Sequence, residues 1–221
     1  PMGILDNRAV IVTGAGGGLG AAHAKVLAGE GAGVVVNDIN EAAAQAVVDE
    51  IVAAGGKAIV NTSDITNYDD SANAVKQAIE AFGELHAVVN NAGINRDRMF
   101  ASMTEAEWDA IMSVHLKGHF CISSHAVHYW RDQSKAGNDV SGRIINTTSG
   151  AGLQGSVGQS NYAAAKAGIS ALTLNQAAEL GRYGITANAI APAARTGMTT
   201  AVDAMAERMK APDDGSFDYW A

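Results

Sequence analysis

VIVTGAGGGLG (residues 10–20) runs from a β-branched apolar stretch, through a glycine turn, into an alanine-rich stretch. Strand, glycine turn and helix in that order read as the opening of a nucleotide-binding α/β unit. Gly14, Gly18 and Gly20 let the backbone turn tightly and come close to a ligand. The helix that opens near Leu19 offers unpaired N–H groups and the positive end of its dipole to a pyrophosphate. The spacing is T-G-x-x-x-G-x-G from Thr13 to Gly20, not G-x-G-x-x-G. A turn that binds nothing is the plainer reading, and so many glycines in one turn argue against it.

The same alternation continues along the chain. Short apolar runs are expected as strands at Ala9–Thr13, Val34–Asn37, Ala58–Asn61, Ala87–Asn90, Arg143–Thr147 and Ala187–Ile190. Helices are expected at Leu19–Glu30, Glu41–Ala54, Tyr68–Phe82, Glu105–Arg131 and Tyr162–Tyr183. Nearly continuous apolar strands alternating with helices predict a Rossmann-like, doubly wound parallel sheet in three layers. Gly31, Gly55 and Gly83 punctuate helix ends, and Thr104 with Glu107 reads as a capping box. Residues 133–142 (QSKAGNDVSG) read as an exposed loop. No repeat or linker interrupts the 221 residues, so a single domain is expected over 1–221. The net charge of −8 and the lack of a basic run argue against nucleic acid or an anionic membrane as partner. A single cysteine, Cys121, and no signal-peptide pattern predict a cytoplasmic protein. No apolar run is long enough to span a bilayer.

Two further patterns carry chemistry. VVVNDIN (34–40) closes the second strand with Asp38, roughly 20 residues past the glycine turn. A carboxylate there accepts hydrogen bonds from ribose hydroxyls and repels a 2′-phosphate, which favours NAD over NADP; capping of the next helix by Asp38 or Asn40 is the alternative. SNYAAAKAG (160–168) puts Tyr162 and Lys166 four apart on one helix face. A phenol of pKa about 10 is a poor base at neutral pH. A neighbouring ammonium is expected to lower it, so that Tyr162 exchanges a proton with an alcohol or carbonyl.

Together, the glycine turn, NNAG (90–93), Ser149 and Tyr162-x-x-x-Lys166 resemble the short-chain dehydrogenase/reductase family from about Leu5 to Thr199. The resemblance implies hydride transfer between NAD and a secondary alcohol or ketone, without metal. It matches Gly14, Gly18, Leu19 and Gly20 to the pyrophosphate turn and Asp38 to the NAD-selecting acid. Asp64 and Ile65 match adenine contacts. Asn90, Asn91, Ala92 and Gly93 match the segment that steadies the sheet beside the cofactor. Pro192 and Thr196 match the segment flanking the nicotinamide. Ser149 is implied to hold the substrate oxygen and Tyr162 to be the acid/base. Lys166 is implied to hold the nicotinamide ribose and to lower the tyrosine pKa. A homo-oligomer, dimer or tetramer, is implied too.

MSVHLKGHF (112–120) departs from the family pattern: His115 stands where the family has an asparagine associated with a helix kink and a proton relay. A metal pair of His115 and His119 would need further ligands, so no metal is expected; His119 reads as packing. VHLKGHF and IAPAARTGMT resemble the dehydrogenase part of multifunctional β-oxidation enzymes and bacterial relatives, which implies a 3-hydroxyacyl-CoA or steroid-type substrate. Another alcohol or 3-oxoacyl reductase, or a dinucleotide sensor without turnover, is the alternative. Residues from about 192 to 221 are expected to form a substrate lid, with Met198, Met205 and Met209 as an adaptable apolar lining. The family's last strand is not found before Ala221, an expectation of C-terminal incompleteness. Arg96 and Arg98 read either as guides for CoA phosphates or as a solvated loop.

Overall fold

The computed structural model describes residues 3–194, 207, 209–213 and 216–218. Among the described residues, six parallel strands form one sheet: β1 (Ala9–Thr13), β2 (Gly33–Asn37), β3 (Lys57–Asn61), β4 (Ala87–Asn90), β5 (Gly142–Thr147) and β6 (Ile185–Ile190). Their order is β3-β2-β1-β4-β5-β6. The helices are α1 (Gly18–Gly29), α2 (Glu41–Ala53), α3 (Tyr68–Phe82), α4 (Glu105–Ile111), α5 (Gly118–Lys135), α6 (Gly150–Gln154) and α7 (Ser160–Leu180).

The period-2 alternation of the strands feeds two apolar layers. Val10, Val12, Val34 and Val36 pack with Ala24, Ala28, Val47 and Ile51 of α1 and α2. Ile11, Val35 and Ile144 face the opposite side, with Ala74 and Ala78 of α3 and Ile122 and Trp130 of α5. Both faces are therefore covered, as a parallel sheet requires. The expected three-layer fold is the observed one, with strand and helix ends shifted by a few residues.

Three differences matter. The single helix expected at Glu105–Arg131 is two helices joined by a wide π turn at Met112–Lys117. α5 also runs on to Lys135, so the expected loop at 133–142 begins three residues later. Residues 150–154 form the short α6, capped by the Ser149 hydroxyl, which accepts from Ala151 N. The capping box is present, with Thr104 and Glu107 each accepting from the other's backbone N–H.

Two amide ladders cross the C-terminal edge of the sheet. The Asn37 amide donates to Asn61 Oδ1 at 2.7 Å, and Asn61 donates to Gln77 at 2.9 Å. Asn90 donates to Asn146 at 2.9 Å, and Asn146 donates to Thr173 and Gln176 of α7, each at 2.8 Å. These amides tie β2 to β3 and β4 to β5, and reach the covering helices α3 and α7.

Candidate active site

A cavity of about 400 Å³ opens at the C-terminal ends of β1, β4 and β5. Strand order reverses between β1 and β4, the place where open α/β sheets take their ligands. Its wall includes Gly14, Gly17, Gly18, Leu19, Asp38, Asn91, Gly93 and Pro192. His115, Thr147, Thr148, Ser149, Tyr162 and Lys166 complete the reactive side.

The glycine turn suits an anion. Gly14 and Gly18 have φ of +62° and +52°, a region that favours glycine. A Cβ on Gly14 would lie 2.6 Å from the Ala92 backbone, and one on Gly20 would lie 2.1 Å from the Gly14 carbonyl. Gly17 is the N-cap of α1 and has no side chain to satisfy the first N–H groups, which are left toward the cavity. The donor chemistry thus fits a pyrophosphate. Asp38 is held by Gly16 N (3.0 Å) and Asn40 N (2.9 Å), while Asn40 itself caps α2 by accepting from Ala43 N. Its carboxylate is fixed at the cavity wall, suited to a ribose diol.

The NNAG segment closes the wall through Thr13. Asn91 N and Ala92 N both donate to Thr13 Oγ1, and the Asn91 amide donates to the carbonyls of Thr13 and Gly14. Asn90 is buried in the ladder between β4 and β5. Asp64 and Ile65 lie outside the cavity wall. Asp64 accepts from Thr66 and is exposed, and Ile65 is core, against Gly118. Thr196, Met198 and Met205 lie outside the described residues; Met209 is buried at 2% exposure.

The reactive groups come from three elements. Lys166 projects from α7 and is 3% exposed, and its Nζ donates to Thr147 O at 2.6 Å. Burial lowers it to about 8. Its ammonium stands 5.5 Å from the centre of the Tyr162 ring. The expected lowering of the tyrosine is not found in this structure. Burial lifts the Tyr162 phenol above its ordinary value, and the carboxylate of Asp97 adds to the rise; hydrogen bonding with Ser149 draws it partly back. Desolvation disfavours phenolate more than a charge at that distance favours it.

His115 lies in the π turn and meets the Tyr162 ring edge-on at 5.2 Å. Its Nε2 lies 3.0 Å from Ile94 N and 2.8 Å from Ile94 O, so the tautomer decides whether it accepts or donates. Its Nδ1 is buried and has no hydrogen-bond partner among the described residues. Gly93 makes room for it: a Cβ at 93 would lie 2.5 Å from His115 Cε1. Burial first, and the Lys166 charge second, hold the ring down to about 4, neutral at ordinary pH. His119 faces the end of β5 instead, with Thr147 N donating to its Nε2 at 3.4 Å.

Sequence reasoning missed three contributors. Thr147 works through its backbone carbonyl, which leaves no side-chain signature. Thr148 Oγ1 donates to the Lys166 carbonyl and steadies α7. Asn161 is fully buried and donates to the carbonyls of Arg96 and Glu107, pinning the start of α7 to the loop after β4 and to α4; its place beside Tyr162 was the available signal. Both arginines are exposed, but Arg98 is engaged with Glu107 at 2.9 Å, whereas Arg96 donates to its neighbouring carbonyl, Asn95 O.

Residues 8–207 match the short chain dehydrogenase family, and the chain belongs to it. It is 51% identical over 180 residues to hydroxyacyl-CoA dehydrogenase ChsB1 of Mycobacterium tuberculosis, covering 78% of this chain and 56% of that protein. It is 43% identical over 176 residues to peroxisomal multifunctional enzyme type 2 of Mus musculus, covering 76% of this chain and 23% of that protein. The chain thus spans little more than half of the first of these relatives. A crystal structure of a short chain dehydrogenase from Mycobacterium avium superposes with a TM-score of 0.86 at 60% identity, over 89% of this chain and 71% of that one.

Proposed function

We propose that this chain is an NAD-dependent oxidoreductase that interconverts a secondary alcohol and a ketone, with a 3-hydroxyacyl-CoA or steroid-type thioester as substrate. The observation that carries the reading is the meeting of Ser149, Tyr162, Lys166 and His115 on one wall of a cavity whose other wall is the glycine turn and Asp38. A bound nicotinamide supplies the hydride acceptor. In the oxidation direction the Tyr162 phenolate takes the hydroxyl proton as the C–H hydride leaves the same carbon. Ser149 Oγ orients the substrate oxygen. The Lys166 ammonium, held by Thr147 O beside the Tyr162 ring, grips the ribose. His115, neutral and edge-on to Tyr162, takes the place of the asparagine in the proton relay. Gly14, Gly18, Leu19 and Asn91 to Gly93 line the bound dinucleotide, and Asp38 selects NAD. Pro192 and Thr196 are assigned to the nicotinamide, residues past 192 to a lid, and Asp64 and Ile65 to adenine, all on family resemblance alone.

The substrate class rests on the relatives' names and on the rim of the site. Met99 and Phe100 in the connection after β4, Leu153 of α6 and Val157 just past it are exposed apolar side chains, a surface suited to an acyl or sterol body. Arg96 is available to a CoA phosphate. A buried, unpaired Cys121 fits a reducing, cytoplasmic setting, and no described helix is long and apolar enough to cross a membrane. A homo-oligomer is supported by an apolar groove formed by Met112, Leu116, Phe120 and Leu172.

The test is NADH formation with a panel of 3-hydroxyacyl-CoAs and steroid alcohols, for wild type and Tyr162→Phe. Turnover that vanishes in the variant is expected. Dinucleotide binding without turnover on any alcohol would make the chain a sensor, and a preference for NADP would overturn the role given to Asp38.

A further inference from the structure

His119 is buried behind the cavity, and the reaction proposed above gives it no task. It is the second residue of α5, just past the π turn, and is 1% exposed. Burying an imidazole costs free energy unless its nitrogens are used. They are used at the seam between β4 and β5. The pairing of these strands ends at Asn90 and Asn146, and β5 continues one residue further, to Thr147. Thr147 N donates to His119 Nε2 at 3.4 Å, and the carbonyls of Asn90 and His115 are the ring's other partners. A neutral imidazole has one acceptor and one donor nitrogen, so this set uses both.

Thr147 is also where the reactive lysine is held. Its carbonyl takes Lys166 Nζ at 2.6 Å, and among the described residues no other hydrogen bond holds that ammonium. The contacts run without interruption from the imidazole, through one residue of backbone, to the ammonium beside Tyr162.

We propose that His119 is a positioning residue, which fixes the end of β5 so that the Thr147 carbonyl points at the Lys166 ammonium. Neighbours on every side are accounted for: His115 and Lys166 are the titratable groups that act on His119, and Tyr162 is the one Lys166 faces. Both histidines are neutral, so they add hydrogen bonds and no competing charge. The kinetic consequence rests on the oxidoreductase reading; the geometry does not.

His119→Leu keeps bulk and removes both nitrogens. His119→Gln places an amide oxygen about where Nε2 sits. For each, kcat and KM for 3-hydroxyacyl-CoA oxidation are measured across pH, and Lys166 is titrated by NMR on protein labelled at lysine Cε without substrate. His119→Leu should lower kcat about tenfold, the scale of one lost hydrogen bond near a charge, with KM changed less than about twofold. Its Lys166 midpoint should move down, because a loosened carbonyl stabilises the ammonium less. His119→Gln should restore both. Unchanged kcat and an unchanged Lys166 titration in a folded His119→Leu would overturn the proposal, as would a folded His119→Gln as impaired as the leucine variant. If His119→Leu does not fold, His119→Asn, whose amide ends short of Thr147, takes its place with the same expectations. If the wild type oxidises no alcohol, it is the oxidoreductase reading that fails, and the Lys166 titration alone then decides the role of His119.

Discussion

The Tyr162 phenol, raised by burial, makes the direction of pH dependence predictable. The phenolate that accepts the alcohol proton is scarce at neutral pH and grows as pH rises. For oxidation, kcat/KM should therefore climb from neutral into alkaline pH, and Tyr162→Phe should be flat and lower by at least about a hundredfold. His115 makes a prediction about stability. Its folded value of about 4 lies below the ordinary 6.5, so between these the unfolded chain binds the proton and the folded chain does not. Stability from this residue is complete above pH 6.5 and is lost as pH falls toward 4. The loss amounts to at most about 3 kcal/mol. Urea unfolding at neutral pH and at about pH 5 should show a smaller acid loss in His115→Asn than in wild type. His119, lowered in the same direction, keeps part of the slope in that variant. Tyr162, Lys166, Ser149 and Asp38 were legible from motif spacing and His115 from its departure from the family pattern, and all five line the cavity. Thr147 was not, since a carbonyl belongs to every residue.

Elements were legible wherever hydrophobic periodicity speaks, which is why six strands and most helix limits agree with the sequence to within a few residues. The π turn was not readable as such, because MSVHLK has the composition of an ordinary amphipathic helix and the extra residue per turn is decided by packing. There a Cβ on Gly118 would lie 2.8 Å from Ile65 Cδ1, so the helix passes closely over the core at that point. α6 was invisible for a different reason: GAGLQ holds two glycines and offers no apolar face. The amide ladders belong to this scale too. Apolar parallel strands such as AVIVT and GVVVN carry little to distinguish one register from another, whereas a buried amide is satisfied in only one. Asn146→Leu removes the acceptor for Asn90 and the donor to Thr173 and Gln176, and should destabilise by about 2–3 kcal/mol in urea unfolding. A change below about 0.5 kcal/mol would mean that the ladder is not a source of stability.

For the molecule as a whole, the same helices that shape the back of the site also present its outer apolar face. Phe120 is 49% exposed and stacks on Tyr68 at 5.9 Å, and Leu174 is 73% exposed. A net charge of −8 keeps such a surface dissolved but does not hide it. Sedimentation should give a mass above that of the 22.6 kDa chain, and Phe120→Glu should shift it toward the single chain. A monomer at all concentrations would sink the homo-oligomer.

The contact between Gly93 and His115 has a consequence for how such chains change over generations. A methyl at 93 and an imidazole at 115 claim the same space, whereas a shorter amide at 115 withdraws from it. Each position therefore sets which mutations the other tolerates, and the order in which they change matters: a shorter residue at 115 must come first. A double-mutant cycle makes this measurable. Gly93→Ala should be severely destabilising beside His115 and much milder beside His115→Asn, a coupling of at least about 1 kcal/mol.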